Sequence, residues 1–420
     1  MLLDMTIANF RSVKTPQTIS FQAVKDNRLP ESKVVAINEK LKVIKTAAVI
    51  GPNGAGKSTF VRALEALRAI LIADEDVENP LLLLNGTSFA YSEQKGGPSK
   101  IRIQVVIDRG KADNQEEFPT IIAQYTLVAD RDKFFEESLY HIVGGSRKLM
   151  FDRKLVDGSA SELSYHYRWG KLYRGEKKRL VKKLSPRKSF LTEAARKGSE
   201  TCVPLYSWID ERLLILPFGV SAASEKYLVE QLTAHPDWSQ QLINFLWSND
   251  ITDIRQVRVQ DGRIIFVHTN VTQHYASYFA QESLSLRRLS LIGVSFFESF
   301  VSARTVVIDD FGTLLHPDVL KHVVDAFETN NSQSGSQMLA VDCNPTLLTE
   351  GLLRRDGIWF AQKDNEGATT YYSLSDYRFS RTRDERRTIQ QYLSGVYLSL
   401  PITSEFYFVN SPSKEAGNEA

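Results

Sequence analysis

Cysteine is scarce, with only Cys202 and Cys343 in 420 residues. That is too few for a disulfide scaffold or a cysteine-based zinc site, and a reducing cytoplasm is the compartment to expect. No run of about 18 uninterrupted apolar residues occurs, so no transmembrane helix and no membrane partner are expected. The opening Met1-Leu2-Leu3-Asp4-Met5 has neither a basic segment nor a long apolar stretch, so no signal peptide is expected. Net charge is only +2, so a polyanion would have to meet a local basic patch. Internal repeats and sustained heptads are also missing, which leaves no room for a long coiled-coil arm. With 42% hydrophobic and 24% charged residues, the composition is that of an ordinary globular protein. The length suits two or three domain-sized units.

Against these absences stands one dense motif. Thr46-Ala47-Ala48-Val49-Ile50 reads as a buried strand, and Gly51-Pro52-Asn53-Gly54-Ala55-Gly56-Lys57-Ser58-Thr59 as a glycine-rich turn opening a helix. Gly51 to Ser58 fits G-x-x-x-x-G-K-[ST] at every fixed position. Such a turn aims successive backbone N–H groups inward as an anion site, and the helix start adds its positive dipole end. Lys57 is the residue to reach the outer phosphates, and Ser58 can offer its hydroxyl to Mg²⁺.

Strands are expected at 2–9, 18–23 and 43–50, and a helix over 57–73 with Phe60, Leu64, Leu67 and Leu71 on its core face. Strands at 101–107, 121–128 and 137–143 follow as an antiparallel sheet. Residues 225–247 read as helical, 254–267 as a hairpin around Gln260-Asp261-Gly262, and 284–302 as a further helix.

Between Arg168 and Lys188 there are ten Lys/Arg against one acid, Glu176. Arg168, Lys171, Arg174, Lys177, Lys178 and Arg179 are interleaved with or adjacent to Tyr165, Tyr167, Trp169 and Tyr173. Basic plus aromatic is the composition of a nucleic-acid surface. A solvated face whose aromatics pack inward fits the same composition, as does a surface for an acidic protein.

A second chemical segment is Arg304-Thr305-Val306-Val307-Ile308-Asp309-Asp310, an apolar strand ending in two acids. Asp309 at a strand's carboxyl end can hold Mg²⁺ beside Ser58. Asp310 is placed to orient or deprotonate an attacking water. A Glu is usual there, and the shorter Asp carboxylate sits about 1.5 Å further back. A misplacement of about 1 Å can cost ~10²-fold in rate. A later strand, Gln337 to Val341, ends at Asp342-Cys343-Asn344-Pro345, where a γ-phosphate sensor is expected.

Taken together, these residues resemble the ABC/SMC-type ATPases of the abortive-infection, RloA-like class, related to the ATPase subunits of the PARIS and Septu anti-phage systems. Asn9-Phe10-Arg11-Ser12 looks like the family's opening, and the Ile50 to Ser58 stretch is similar to its P-loop. Lys188-Ser189-Phe190-Leu191-Thr192 and Asp309-Asp310 with Leu314-Leu315-His316-Pro317 are similar to two further segments. Arg354 to Phe360, Tyr372 to Asp376 and Tyr392 to Tyr397 resemble its C-terminal part. The likeness runs from residue 1 to about 403.

It implies an α/β P-loop NTPase of ABC/SMC head type, with an antiparallel β subdomain and an inserted helical subdomain. The expected division is an N-terminal ATPase lobe over 1–143, an inserted, mainly helical basic subdomain over 144–250, a C-terminal lobe over 251–410, and a disordered tail over 411–420. It also implies two heads that sandwich ATP·Mg²⁺, the P-loop of one facing Ser283 of the other in trans. Ser285 stands where that signature has glycine, and Cys343 where the family has a switch histidine. With Asp310, these departures fall on three γ-phosphate contacts. The resemblance therefore implies a homo-oligomeric ATPase of slow turnover that scaffolds a separate effector, such as a nuclease encoded nearby, and responds to a phage-derived trigger. A repair-type ABC ATPase acting directly on DNA is the alternative. A P-loop kinase is a third, for which no acceptor site is visible.

Overall fold

The computed structural model describes residues 1–25, 30–91, 97–108, 120–156, 163–216, 219–270, 272–331, 335–377 and 388–401. The expected tail at 411–420 lies outside them.

The chain opens with β1 (Leu2–Ala8) and β2 (Gln17–Ser20). A short ribbon of β3 (Val34–Ala36) and β4 (Lys42–Ile44) follows. Then comes β5 (Thr46–Ile50), whose five residues are all buried, as a strand covered on both faces must be. The P-loop leads into α1 (Lys57–Ile72), which buries Phe60, Leu64, Leu67 and Leu71 as its spacing predicts.

Five long strands come next: β6 (Ser99–Asp108), β7 (Ile121–Ala129), β8 (Phe134–Val143), β9 (Ser146–Val156) and β10 (Ser164–Trp169). They extend a seven-stranded antiparallel sheet in the order β10-β9-β8-β7-β6-β1-β2. Here the structure departs from the expectation of a mainly helical insertion from 144. Among the described residues, β9 and β10 continue the sheet past 144, and helices begin only with α2 (Lys178–Lys183), α3 (Phe190–Arg196) and α4 (Val203–Ser207). The strands are masked in the sequence by basic residues. Arg153 on β9 is fully buried, paired with the equally buried Glu137 of β8 at 3.4 Å.

β11 (Leu213–Leu216) then joins the second sheet. The helices α5 (Ala222–Ala234) and α6 (Trp238–Ser248) precede a three-stranded antiparallel sheet of β12 (Ile254–Gln260), β13 (Arg263–Thr269) and β14 (His274–Tyr278). The long α7 (Leu284–Ser302) leads to β15 (Thr305–Asp309), α8 (Pro317–Asn330) and β16 (Gln337–Asp342). The hairpin β17 (Ile358–Lys363) and β18 (Thr369–Ser373), then α9 (Thr388–Leu393), complete the described chain.

The second sheet has the order β11-β15-β16-β5-β17-β18 and is parallel from β11 to β17. Its strands alternate between two cores. Ala47, Val49, Leu339 and Val341 face α1 and the antiparallel sheet. Ala48, Ile50, Met338 and Ala340 face the side of α5, α6, α7 and α8. Gln337 links the sheets, its side chain bonding both the N–H and the carbonyl of Leu2 at 2.9 and 3.0 Å. Adjacent parallel strands β5, β15 and β16 therefore end side by side, where a ligand crevice forms in sheets of this kind.

Candidate nucleotide site

The turn after β5 is shaped by glycine. Gly54 and Gly56 sit at φ +78° and +97°, a region that side-chain-bearing residues avoid. A Cβ on Gly56 would also collide with the Thr369 side chain. Two distant segments brace the loop. Thr369 Oγ1 of β18 donates to the carbonyl of Ala55 at 2.9 Å and lies 2.8 Å from Ser12 Oγ, from which it can accept. Ser12 Oγ lies 3.0 Å from Thr59 Oγ1, and Tyr371 donates to the Gly56 carbonyl at 2.8 Å. The turn holding Ser12 is tight, with Asn9 and Arg11 both at positive φ.

Around this loop lies a cavity of about 530 Å³, lined by Gly54, Gly56, Lys57, Ser58 and Thr59 with Arg11, Phe89, Tyr91 and Lys363 among its walls. Lys57 Nζ donates to the Pro52 carbonyl at 2.9 Å, so the lysine folds over the loop. Ser58 Oγ donates to Asp309 Oδ1 at 3.0 Å. A hydroxyl and a carboxylate in contact at a helix start are oxygen donors suited to Mg²⁺. Both acids at the end of β15 have raised carboxyl pKa values. For Asp309 the causes are burial, then the neighbouring Asp310, offset by Ser58. For Asp310 they are burial, then Asp342, offset by Lys57 and Arg288. A site with two such acids favours the arrival of a divalent cation.

Asp310 adopts φ +47°, a conformation that Asp tolerates better than most residues. Arg288 of α7, buried, holds this turn from below. Its Nη2 donates to the Asp309 carbonyl at 2.6 Å and lies 3.4 Å from the Asp310 carbonyl. Asp342 at the end of β16 accepts from the backbone N–H of Cys343 at 2.6 Å, of Asn344 at 3.0 Å, and of Gly312. Cys343 is exposed. Its thiol pKa is raised by burial and by Asp342, opposed by Lys57.

Ser283 does not line the cavity. It caps α7, its Oγ accepting from the Leu286 N–H at 3.2 Å, and Ser285 Oγ donates to the Leu314 carbonyl at 2.8 Å. Of the basic residues, Arg168 is taken up by the buried Asp152. Arg174 turns back on the carbonyls of Lys171 and Tyr173 at 3.2 Å each. Lys177, Lys178 and Arg179 line a separate groove of about 590 Å³ with Tyr167, Trp169, Val181, Lys182 and Lys183. Tyr167, Trp169 and Tyr173 surround Phe190, so one side of these aromatics belongs to the core.

Sequence reasoning missed Arg288, Ser12 and Thr369 as parts of this site. Charge reads as solvent exposure, and Thr369 lies 357 residues from Ser12. The spacing of Arg288, five residues after Ser283, was the one available signal.

The profile of the family described as "AAA domain, putative AbiEii toxin, Type IV TA system" matches residues 47–341. The chain belongs to this family. The match spans the P-loop and the acidic end of β15, so this is an AAA-type ATPase domain. A comparison with curated proteins finds no match. Among solved structures, the chain is similar to the SMC head domain from Thermotoga maritima, at 14% identity and a TM-score of 0.40, over 89% of this chain and 98% of that one. It is also similar to an Smc head bound to the C-winged helix domain of ScpA, at 10% identity and 0.48, over 89% and 97%. A third is the Smc head with an extended coiled coil bound to the C-terminal domain of ScpA, derived from Pyrococcus furiosus, at 9% and 0.46, over 94% and 98%. What marks the P-loop NTPase fold in this family member is its own sheet order and loop geometry. No helix among the described residues is long and apolar enough to cross a membrane.

Proposed function

We propose that this ATPase domain binds ATP·Mg²⁺ between two copies of itself, hydrolyses it slowly, and uses the bound nucleotide as a latch. The observation that carries the reading is the 3.0 Å contact of Ser58 with Asp309, beside a lysine-bearing loop and away from Ser283. The phosphates would lie in the P-loop, held by the backbone from Gly51 to Ser58 and by Lys57. Mg²⁺ held by Ser58 and Asp309 would neutralise charge on the outer phosphates. Ser283 and the start of α7 would close the site from the second copy, where a helix N-terminus favours an anion. Asp310 is the candidate to orient the attacking water. Its short side chain, Ser285 in place of glycine, and the weak donor Cys343 all support slow turnover.

A slow latch suits holding a partner better than driving repeated work. The reading is a scaffold for a separate toxic effector, such as a nuclease, released by a phage product in abortive infection. The groove of Lys177, Lys178 and Arg179 favours a polyanionic contact, which also keeps open a direct action on DNA. The longest helix among the described residues has 19 residues, which supports a head without a long arm. Equilibrium binding of labelled ATP with Mg²⁺ tests the core of this. The intact chain should bind, and Lys57→Ala should lose about 100-fold or more in affinity, the worth of one or two charge-assisted hydrogen bonds at about 1.5–3 kcal/mol each. Normal affinity in that variant contradicts the reading. Turnover stimulated by duplex DNA in a chain that purifies alone would favour the DNA-acting alternative.

A further inference from the structure

His268 on β13 is buried, and both of its ring nitrogens face acids. Nδ1 lies 2.8 Å from Asp253 Oδ2, and Nε2 lies 2.8 Å from Glu282 Oε1. An ionised carboxylate only accepts hydrogen bonds, and a neutral imidazole has only one N–H. Two ionised acids on opposite edges of one ring therefore call for the doubly protonated imidazolium. Tyr275 of β14 stacks on the same ring, with centroids 4.5 Å apart and planes within 4°, which favours a cation. Ser277 donates to the same Glu282 oxygen that faces His268.

The position of Glu282 gives the cluster its meaning. It is the residue directly before Ser283, which caps α7. Six residues past Glu282 is Arg288, which grips the carbonyl of Asp309. His268 thus stands between the three-stranded sheet and the start of α7, whose second turn reaches the Asp309 carbonyl through Arg288.

We propose that His268 is a positioning residue for the half-site that one copy offers to its partner's nucleotide, holding Glu282 and hence Ser283 in register for the γ-phosphate. This rests on the two-copy latch proposed above. The charged ring fixes the backbone before the cap through Glu282, and Asp253 anchors the ring to the loop before β12. Burial alone would lower the pKa of His268, but Asp253 and Glu282 more than offset it, so the ring's pKa is raised above its ordinary value. The other groups nearby are turned elsewhere. His274 is paired with Thr269 at 2.6 Å, and Arg287 lies over the Phe279 ring.

The sign follows from linkage. A histidine with a raised folded-state pKa contributes fully below its ordinary value of about 6.5. It loses that contribution as the pH rises through the higher folded value. The latch should weaken on the alkaline side as well, because the neutral ring keeps one N–H for two acids and can no longer hold both Asp253 and Glu282.

The test is association driven by Mg²⁺-ATP, read by sedimentation from pH 6 to pH 9, for the intact chain, His268→Gln and Asp253→Asn. The intact chain should associate about tenfold or more weakly at the alkaline end. His268→Gln should be weak throughout with a flat profile, while its single chains bind ATP normally. Asp253→Asn should move the midpoint to lower pH, which a purely structural role would not do. A carbon-detected NMR titration of the His268 ring, assigned by its loss in His268→Gln, reads the charge in the single chain. A midpoint at or below about 6.5 overturns the proposal, as does a flat profile in the intact chain or the intact chain's profile in His268→Gln. A raised ring midpoint with no association at any pH would instead refute the latch, and this proposal with it.

Discussion

Arg288 and Asp309 are joined across the base of the nucleotide site: the buried guanidinium donates to the acid's main-chain carbonyl at 2.6 Å. This contact links the helix that begins at Ser283 to the strand end that faces Ser58. The same guanidinium lies 3.4 Å from the Asp310 carbonyl, so α7 also braces the turn that holds Asp310. Burial lowers the pKa of Arg288, and the charges of Asp310, Asp309 and Asp342 oppose that.

Arg288→Met keeps most of the volume and removes the donor. It leaves the Asp309 carbonyl unmet inside the protein, at a cost of about 1–3 kcal/mol. The expected outcome is a lower melting temperature and lost turnover, with ATP affinity nearly intact because the P-loop is untouched. Unchanged turnover would mean that the turn at Asp310 holds itself.

Asp310→Glu restores the missing methylene. If the short acid limits hydrolysis, turnover should rise about tenfold or more, within the ~10² range of a 1 Å misplacement. Steady-state phosphate release checks this. No change would assign the limit to Ser285 or Cys343.

Glu137 is the ionic node of the antiparallel sheet. It pairs with Arg153, accepts from Ser189 at 2.8 Å, and binds the N–H groups of Phe190 and Leu191 at 2.8 and 2.9 Å. Glu137→Ala strands a buried arginine, so a loss of about 3–5 kcal/mol is expected. Denaturant unfolding would show it. A loss under about 1 kcal/mol would contradict the account of β8, β9 and α3 as one unit tied by that charge.

The groove beside β10 yields a separate expectation. Lys178→Glu with Lys182→Glu should abolish any polyanion binding and flatten its salt dependence, with ATP affinity unchanged. Fluorescence anisotropy with a short single strand and with a polyglutamate checks both. Equal binding before and after the double change would remove the groove from the account.

Much of this could be read in the residues. The P-loop, the stripe on α1, the apolar strand before Asp309, the hairpin at β12 and β13 and the long α7 all follow from periodicity or turn chemistry. What was illegible has two physical causes. Burial turned charged residues inward, and a sequence gives charge no sign of its depth. Arg153 and Asp152 on β9, Arg288 on α7 and His268 on β13 are all buried, and nothing in their residue type marks that depth. The bracing of Gly56 by Thr369 was hidden for another reason: it joins opposite ends of the chain.

The latch itself is tested most directly by the mass of the purified protein with Mg²⁺-ATP and without nucleotide, measured with Lys57→Ala as the control. The account predicts a mass that at least doubles with ATP, bound nucleotide in that species, and a single-chain mass for Lys57→Ala under both conditions. A single-chain mass for the intact protein at every nucleotide condition, or no bound nucleotide at all, would contradict it.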